Sequence, residues 1–177
     1  MQLPSKQRVL NETEERIREV ALRLFAQKGF EATGTREIAS EAGLTVAGLY
    51  YYVGTKEELL LGIVLDMSTR LLRSALSIGA RDDSPEQKLG LLMLLHLWFH
   101  GQYALASKVI NTEYRSLTGE AREQAQLIRD RYEAEFRNVI AEGMEQGIFE
   151  AQDAKLAAIA LIEMGRGISH WYKPDGA

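Results

Sequence analysis

The sequence predicts an all-α protein, and three observations carry that prediction. Proline stands at only three positions, Pro4, Pro85 and Pro174, leaving proline-free stretches of 80 and 88 residues. Apolar residues recur at helical spacing in one segment after another, and no segment alternates like a half-buried strand. Segment starts carry capping residues, and several ends carry glycine. A chain of 177 residues makes one domain or two small ones. Its 46% hydrophobic and 26% charged residues are ordinary for a globular protein and exclude disorder as the main state. The absence of cysteine excludes disulfide scaffolds, thiolate zinc sites and cysteine nucleophiles. No apolar run approaches the roughly 18 residues of a membrane span. The first ten residues lack a signal-peptide core, so a cytoplasmic protein with no membrane partner is expected.

Residues 1–10 are polar, contain Pro4, Lys6 and Arg8, and read as a flexible arm. Asn11 followed by Glu14 fits a helix start. From there Ile17, Val20, Ala21, Leu24 and Phe25 follow the spacing of one helical face, while Glu15, Arg16, Arg18, Glu19 and Arg23 take the other. Gly29, after Lys28, closes this helix. A short helix is expected over 35–42, with Ile38 and Ala39 inward. A turn at Gly43-Leu44 leads to a second short helix over 45–51, capped by Thr45. Two short helices joined by a three- to four-residue turn containing Gly form a helix-turn-helix signature.

Thr55-Lys56-Glu57-Glu58 is a capping box. The helix it opens should reach about residue 78, with Leu60, Ile63, Val64, Met67, Leu71 and Leu72 along one stripe. Ser84-Pro85-Glu86-Gln87 is a second box, with Pro at the first helical position. The apolar stretch 89–99 continues that helix to a break near Gly101. A further helix is expected over 103–114. Thr118 can cap a long charged helix reaching Gln146 and stopped by Gly147. Asp153 caps a last helix over 154–172, ended by Pro174.

The segment Glu31-Ala32-Thr33-Gly34-Thr35-Arg36-Glu37-Ile38-Ala39-Ser40-Glu41-Ala42-Gly43-Leu44-Thr45-Val46-Ala47-Gly48-Leu49-Tyr50-Tyr51-Tyr52-Val53-Gly54-Thr55-Lys56-Glu57-Glu58-Leu59-Leu60, with the preceding Leu24-Phe25-Ala26-Gln27-Lys28-Gly29-Phe30, resembles the DNA-binding domain of the TetR family of transcriptional regulators. The likeness is continuous over about residues 12–62. It implies an N-terminal three-helix bundle with a helix-turn-helix over 11–56. It also implies a helical effector-binding and dimerisation domain over 57–177. The implied function is that of a regulator, in the first instance a repressor, that leaves a pseudo-palindromic operator when a hydrophobic effector binds. The alternative is an architectural or partner-binding DNA protein without a small-molecule signal. No nucleophile–base–acid arrangement can be argued, so neither an enzyme nor a cofactor is expected.

Within this frame Thr45, Val46, Ala47 and Gly48 form the first turn of the helix that would enter the major groove. They are small and uncharged, which suits close approach and contact with thymine methyls, and none offers a bidentate contact to guanine. Leu49 and Tyr52 share the inner face with Val53, while Tyr50 and Tyr51 project outward, where the resemblance implies phosphate contacts. Lys56 stands at a helix start, where dipole and ammonium both favour a phosphate. Thr33 and Arg36 would hold the opposite backbone strand.

The stretch 111–177, ending Ser169-His170-Trp171-Tyr172-Lys173-Pro174-Asp175-Gly176, is similar to a subgroup of the same family that often senses acyl-CoA thioesters. An acyl-CoA-like or other lipid-derived effector is therefore expected. Candidate pocket residues are Met67, Leu71, Trp98, Phe99, Tyr103, Tyr114, Phe136, Met164 and Trp171, residue types that at such positions are more often plain core than ligand contacts. Arg70, Arg73 and Arg115 could meet an anionic group. His96 and His100 stand four apart, a spacing that can share a metal. Only Glu113 is at hand as a third ligand, and no metal site is expected. Small residues at Ala154, Ala157, Ala158, Ala160, Gly165 and Gly167 suit either a symmetric helix–helix contact between two copies or close packing within one.

The net charge is −4, and residues 1–60 carry 8 Lys/Arg against 9 Asp/Glu, a net of −1. Nucleic-acid binding usually carries a basic footprint. Here Lys6, Arg8, Arg36 and Lys56 are the cations on or beside the proposed DNA face, which predicts weak non-specific binding and reliance on dimer geometry.

Overall fold

Good helix formers without glycine or proline run through residues 5–10, and nothing there stops a helix from starting early. In the computed structural model, which describes residues 5–167 with side chains from Glu12 onward, the first helix, α1, spans Ser5–Lys28. Asn11 is thus an interior residue rather than a cap, and residues 5–10 of the expected arm are helical. Seven more α-helices follow among the described residues. These are α2 (Thr35–Glu41), α3 (Val46–Val53), α4 (Lys56–Gly79), α5 (Pro85–Gln102), α6 (Ala104–Thr112), α7 (Gly119–Glu145) and α8 (Ala154–Arg166), with a 3-10 turn at Glu113–Ser116. None is long and apolar enough by itself to cross a membrane.

Local chemistry explains most boundaries. Ser84 Oγ accepts from the Gln87 N–H while the Gln87 side chain accepts from the Ser84 N–H, a closed capping box ahead of α5. Thr55 and Glu58 make the same exchange ahead of α4. Asp153 accepts from the N–H groups of Lys155 and Leu156 at the start of α8. The expected helix over 103–114 is shorter. Tyr103 ends α5, and the chain tightens to a 3-10 turn after Thr112. Thr118, the residue ahead of α7, donates from both its N–H and its Oγ1 to Glu57 Oε1 at 3.0 Å. The expected end of the last helix near Pro174 lies outside the described residues.

The chain divides into two compact units, and the division differs from the expected break between residues 56 and 57. One unit comprises Met1–Val64 together with Lys108–Glu123; the other comprises Leu65–Ser107 and Gln124–Ala177. The physical reason is a set of long-range polar ties that no local pattern announces, described with the site below. In the first unit α1, α2 and α3 pack pairwise around Ile17, Ala21, Leu24, Phe25, Ile38, Ala39 and Leu49, all nearly inaccessible. In the second, α5 packs on α8. The core there is Leu71, Leu72, Ala75, Leu92, Phe99, Tyr132, Phe136, Val139, Ile140, Ala158 and Ile162.

Candidate nucleic-acid interface and effector core

The link from α2 to α3 needs a left-handed residue, supplied by Gly43 at φ +67°. The Leu44 N–H then returns to Ala39 O at 2.8 Å, fixing the angle between the two short helices. Thr45 is extended, and its Oγ1 accepts from the Gly48 N–H at 3.1 Å, satisfying one orphan donor of α3. The helix turns Leu49 inward, 2% exposed, and leaves Tyr50 and Tyr51 outward, 47% and 77% exposed. Tyr52 is half-buried with its ring edge-on to Tyr51 at 5.3 Å. Thr45 and Ala47 are exposed, and Val46 and Gly48 half-buried, so the first turn of α3 and its two outward tyrosines share one small surface.

Two of the residues expected at phosphates are tied to the turn between α1 and α2. Thr33 is 1% exposed and its Oγ1 donates to Gly29 O at 2.7 Å. Lys56 Nζ donates to Phe30 O at 2.8 Å and Thr33 O at 3.0 Å and lies 4.2 Å from the centre of the Phe30 ring. Its ammonium faces the turn it ties, which makes it a positioning residue in this structure. The cause in both cases is a turn whose carbonyls lie outside the helical hydrogen-bond ladders and draw the nearest donors. Arg36, second residue of α2, is exposed. Among the other cations of the unit, Arg16 donates to Ala42 O, Arg23 pairs with Glu41 and Lys28 with Glu37. The side chains of Lys6 and Arg8 lie outside the described residues.

Sequence reasoning missed three residues that hold this unit together. Lys108 Nζ donates to Ala26 O at 2.7 Å, near the end of α1. Glu113 Oε2 accepts from the Phe30 N–H at 3.1 Å. Glu57, in the first turn of α4, holds Thr118. Each tie spans 61 to 83 residues of chain, and single-sequence spacing carries no signal at that range.

The expected pocket residues among the described ones have different surroundings. Leu71, Phe99 and Phe136 belong to the core of the second unit, and Met67 packs at its edge. Tyr114 is buried, but in the first unit. Trp98, Tyr103 and Met164 are 55%, 40% and 69% exposed, since their positions fall on outer helix faces. Trp171 lies outside the described residues. A groove of about 540 Å³ in the second unit is lined by Leu65, Asp66, Thr69, Arg70 and Arg73. Arg70 is paired there to Asp66 through Nε and Nη2, both at 3.1 Å, so its charge is already met; Arg73 and Arg115 are exposed.

His96 and His100 are both buried, with ring centres 4.4 Å apart. His96 Nε2 lies 2.9 Å from Ile162 O and Nδ1 2.9 Å from Tyr132 Oη. A carbonyl can only accept, so Nε2 carries the proton and Nδ1 accepts from the tyrosine. Both nitrogens of His96 are thus occupied, while Glu113 belongs to the first unit and accepts from the Phe30 N–H. Burial drives the His96 imidazole down to about 4, against the lifting effect of Ile162 O, and His100 down to about 3. Burial also raises the Tyr132 phenol. All three are neutral near pH 7.

Known proteins match this arrangement along most of the chain. Residues 17–63 match the family model of bacterial regulatory proteins of the tetR family. Residues 82–177 match the tetracyclin repressor-like C-terminal domain. The chain is 33% identical to PfmR, a TetR family transcriptional regulator from Thermus thermophilus, over 91% of this chain and 88% of that one, with a TM-score of 0.83. It is 27% identical to AibR, solved in complex with isovaleryl coenzyme A and operator DNA, over 93% and 90% of the two chains, with a TM-score of 0.84. It is 24% identical to the transcriptional repressor KstR2 of Mycobacterium tuberculosis over 89% of this chain and 80% of that protein. The match spans only 26% and 18% of the length of the first two curated relatives. With two family models covering the helix-turn-helix and more than half of the remaining chain, the protein belongs to the TetR family of bacterial transcriptional regulators.

Proposed function

We propose that this protein is a ligand-responsive repressor that binds double-stranded operator DNA as a homodimer. The observation that carries the reading is the outer face of α3. A Thr45-capped first turn of small residues stands beside Tyr50 and Tyr51, while Leu49 anchors the helix from below. Val46, Ala47 and Gly48 suit close approach to base edges, the two tyrosines and Arg36 suit phosphates, and Lys56 holds the turn that positions them.

A pseudo-palindromic operator follows from a symmetric dimer that sets two recognition helices about 34–36 Å apart. Ala158 and Gly165 of α8 are buried within one chain. Leu156, Ile159, Ala160 and Met164 are exposed apolar residues of α8 available to a second copy. For the effector, the likeness to AibR favours an acyl-CoA-type or similarly apolar ligand. α4 runs unbroken from the capping box beside α3 to Gly79, so displacing it would change the spacing of the recognition helices. A coupling of about 1–3 kcal/mol would lower operator affinity roughly 5- to 150-fold.

Selection from a random duplex library, followed by fluorescence anisotropy on the enriched site with isovaleryl-CoA and longer acyl-CoA probes, tests this. An enriched inverted repeat released by a bound probe is the expected result. Enrichment with an affinity that no bound probe changes would leave an architectural DNA protein, and no enrichment at all would sink both readings.

A further inference from the structure

Two buried side-chain atoms among the described residues have no hydrogen-bond partner, His100 Nδ1 and Ser107 Oγ. They flank the junction where α5 gives way to α6. His100 is 5% exposed and Ser107 0%. Such orphans are few in native proteins, because each gives up hydrogen bonds to water and gains none in return. Pairing is available one turn away, where His96 has both nitrogens satisfied. His100 instead faces the rings of His96, at 4.4 Å, and Phe99, at 5.9 Å.

We propose that His100 and Ser107 form the hydrogen-bonding end of an effector site at the α5–α6 junction, and that it takes an uncharged carbonyl or hydroxyl oxygen carried on an apolar body. This rests on the ligand-responsive reading above and adds the ligand's chemistry. Neutral imidazole Nδ1 can donate to a carbonyl or accept from a hydroxyl, and a serine hydroxyl can do either. Burial keeps His100 uncharged at pH 7, so it offers no cation to a carboxylate. Arg166, whose charge acts on His100 from α8, is ion-paired with Glu163. A carboxylate would therefore lose its hydration for neutral partners alone.

The arrangement sets stability against binding. His100→Phe and Ser107→Ala each remove a desolvated polar atom, so the ligand-free protein should melt at the same temperature or higher while ligand affinity falls. The test uses the full chain and both variants with 2-decanone, 1-decanol and decanoate, by calorimetry at pH 7, with the His100 nitrogens followed by NMR.

The expected result has three parts. The ketone or the alcohol binds at least about tenfold more tightly than decanoate, a difference equivalent to ~1.4 kcal/mol. The Nδ1 resonance moves on binding. Each variant loses that preference without losing thermal stability. Equal binding of decanoate, no binding of any probe, or an Nδ1 resonance that stays in place overturns the site, as does a resident water as sole partner of both atoms in the bound state. If His100→Phe does not fold, Ser107→Ala and the wild-type resonance decide. Operator binding by ligand-free protein is measured alongside. Its loss counts against the regulator reading, whereas intact operator binding without the ligand preference overturns this site alone.

Discussion

His96 Nε2 donates to the carbonyl of Ile162 at 2.9 Å, joining α5 to α8 across the core of the second unit. The carbonyl belongs to the interior of a helix, so the imidazole comes within touching distance of the α8 backbone. Gly165, one turn further along α8, permits this approach, for a β-carbon built there would collide with the His96 ring.

Gly165→Ala is therefore expected to destabilise the protein, although alanine is the better helix former by about 1 kcal/mol. Overpacking against a ring pinned at both nitrogens costs ~1–3 kcal/mol and outweighs that gain. Gly90, in the interior of α5 with open space around its α-carbon, gives the opposite result. Gly90→Ala should stabilise by up to about 1 kcal/mol. Urea unfolding of the two variants checks both signs.

Acid should weaken the fold before its carboxylates titrate. His96 and His100 are held neutral, with folded values of about 4 and 3 against an ordinary 6.5. Between those limits the unfolded chain binds more protons than the folded one, so stability is complete above pH 6.5 and falls as pH drops below it. From pH 7 to pH 5 the loss is about 2 kcal/mol for each histidine. Unfolding midpoints at the two pH values measure it, and a double variant with both histidines replaced by Phe should lose the pH dependence over that interval.

Tyr51 and Lys56 should separate binding from folding. Tyr51 is 77% exposed, so Tyr51→Ala is expected to leave the melting temperature unchanged while lowering operator affinity about tenfold, the loss of a good contact. Lys56 ties two carbonyls, so Lys56→Ala should cost about 1–2 kcal/mol of stability and weaken binding through the displaced turn. Anisotropy and thermal melts on the same samples distinguish the two patterns.

Operator affinity should depend only gently on salt. Arg16, Arg23, Lys28 and Lys56 are all engaged within the first unit. Counting Arg36 with Lys6 and Arg8 in each of two copies, a plot of log affinity against log salt should be no steeper than about −5. Titrations between about 50 and 200 mM salt, concentrations over which such slopes are resolved, give the value.

The helices and the inner and outer faces of α3 were legible because their determinants are local. Ser84 and Gln87 close a box three residues wide, and the Leu49–Tyr51 pattern sorts inner from outer faces within one turn. The types and positions of Thr33 and Lys56 suit phosphate, but their bonds to the carbonyls of Gly29, Phe30 and Thr33 answer a backbone demand that side-chain patterns do not show. Lys108 and Glu113 were invisible for a related reason, since their partners are backbone groups more than 80 residues away.

Because Lys108–Glu123 folds with the first 64 residues, the DNA-binding half of this protein is not a contiguous stretch of gene. A recombination event or a designed fusion that joins residues 1–64 to a foreign effector domain would keep the recognition helix. It would also strip the partners from Ala26 O and the Phe30 N–H. Shuffling is expected to succeed only between parents that carry a lysine and a carboxylate at the matching points of their own sixth helix and the turn after it. Transplanting residues 1–64 together with 108–123 gives the functional hybrid.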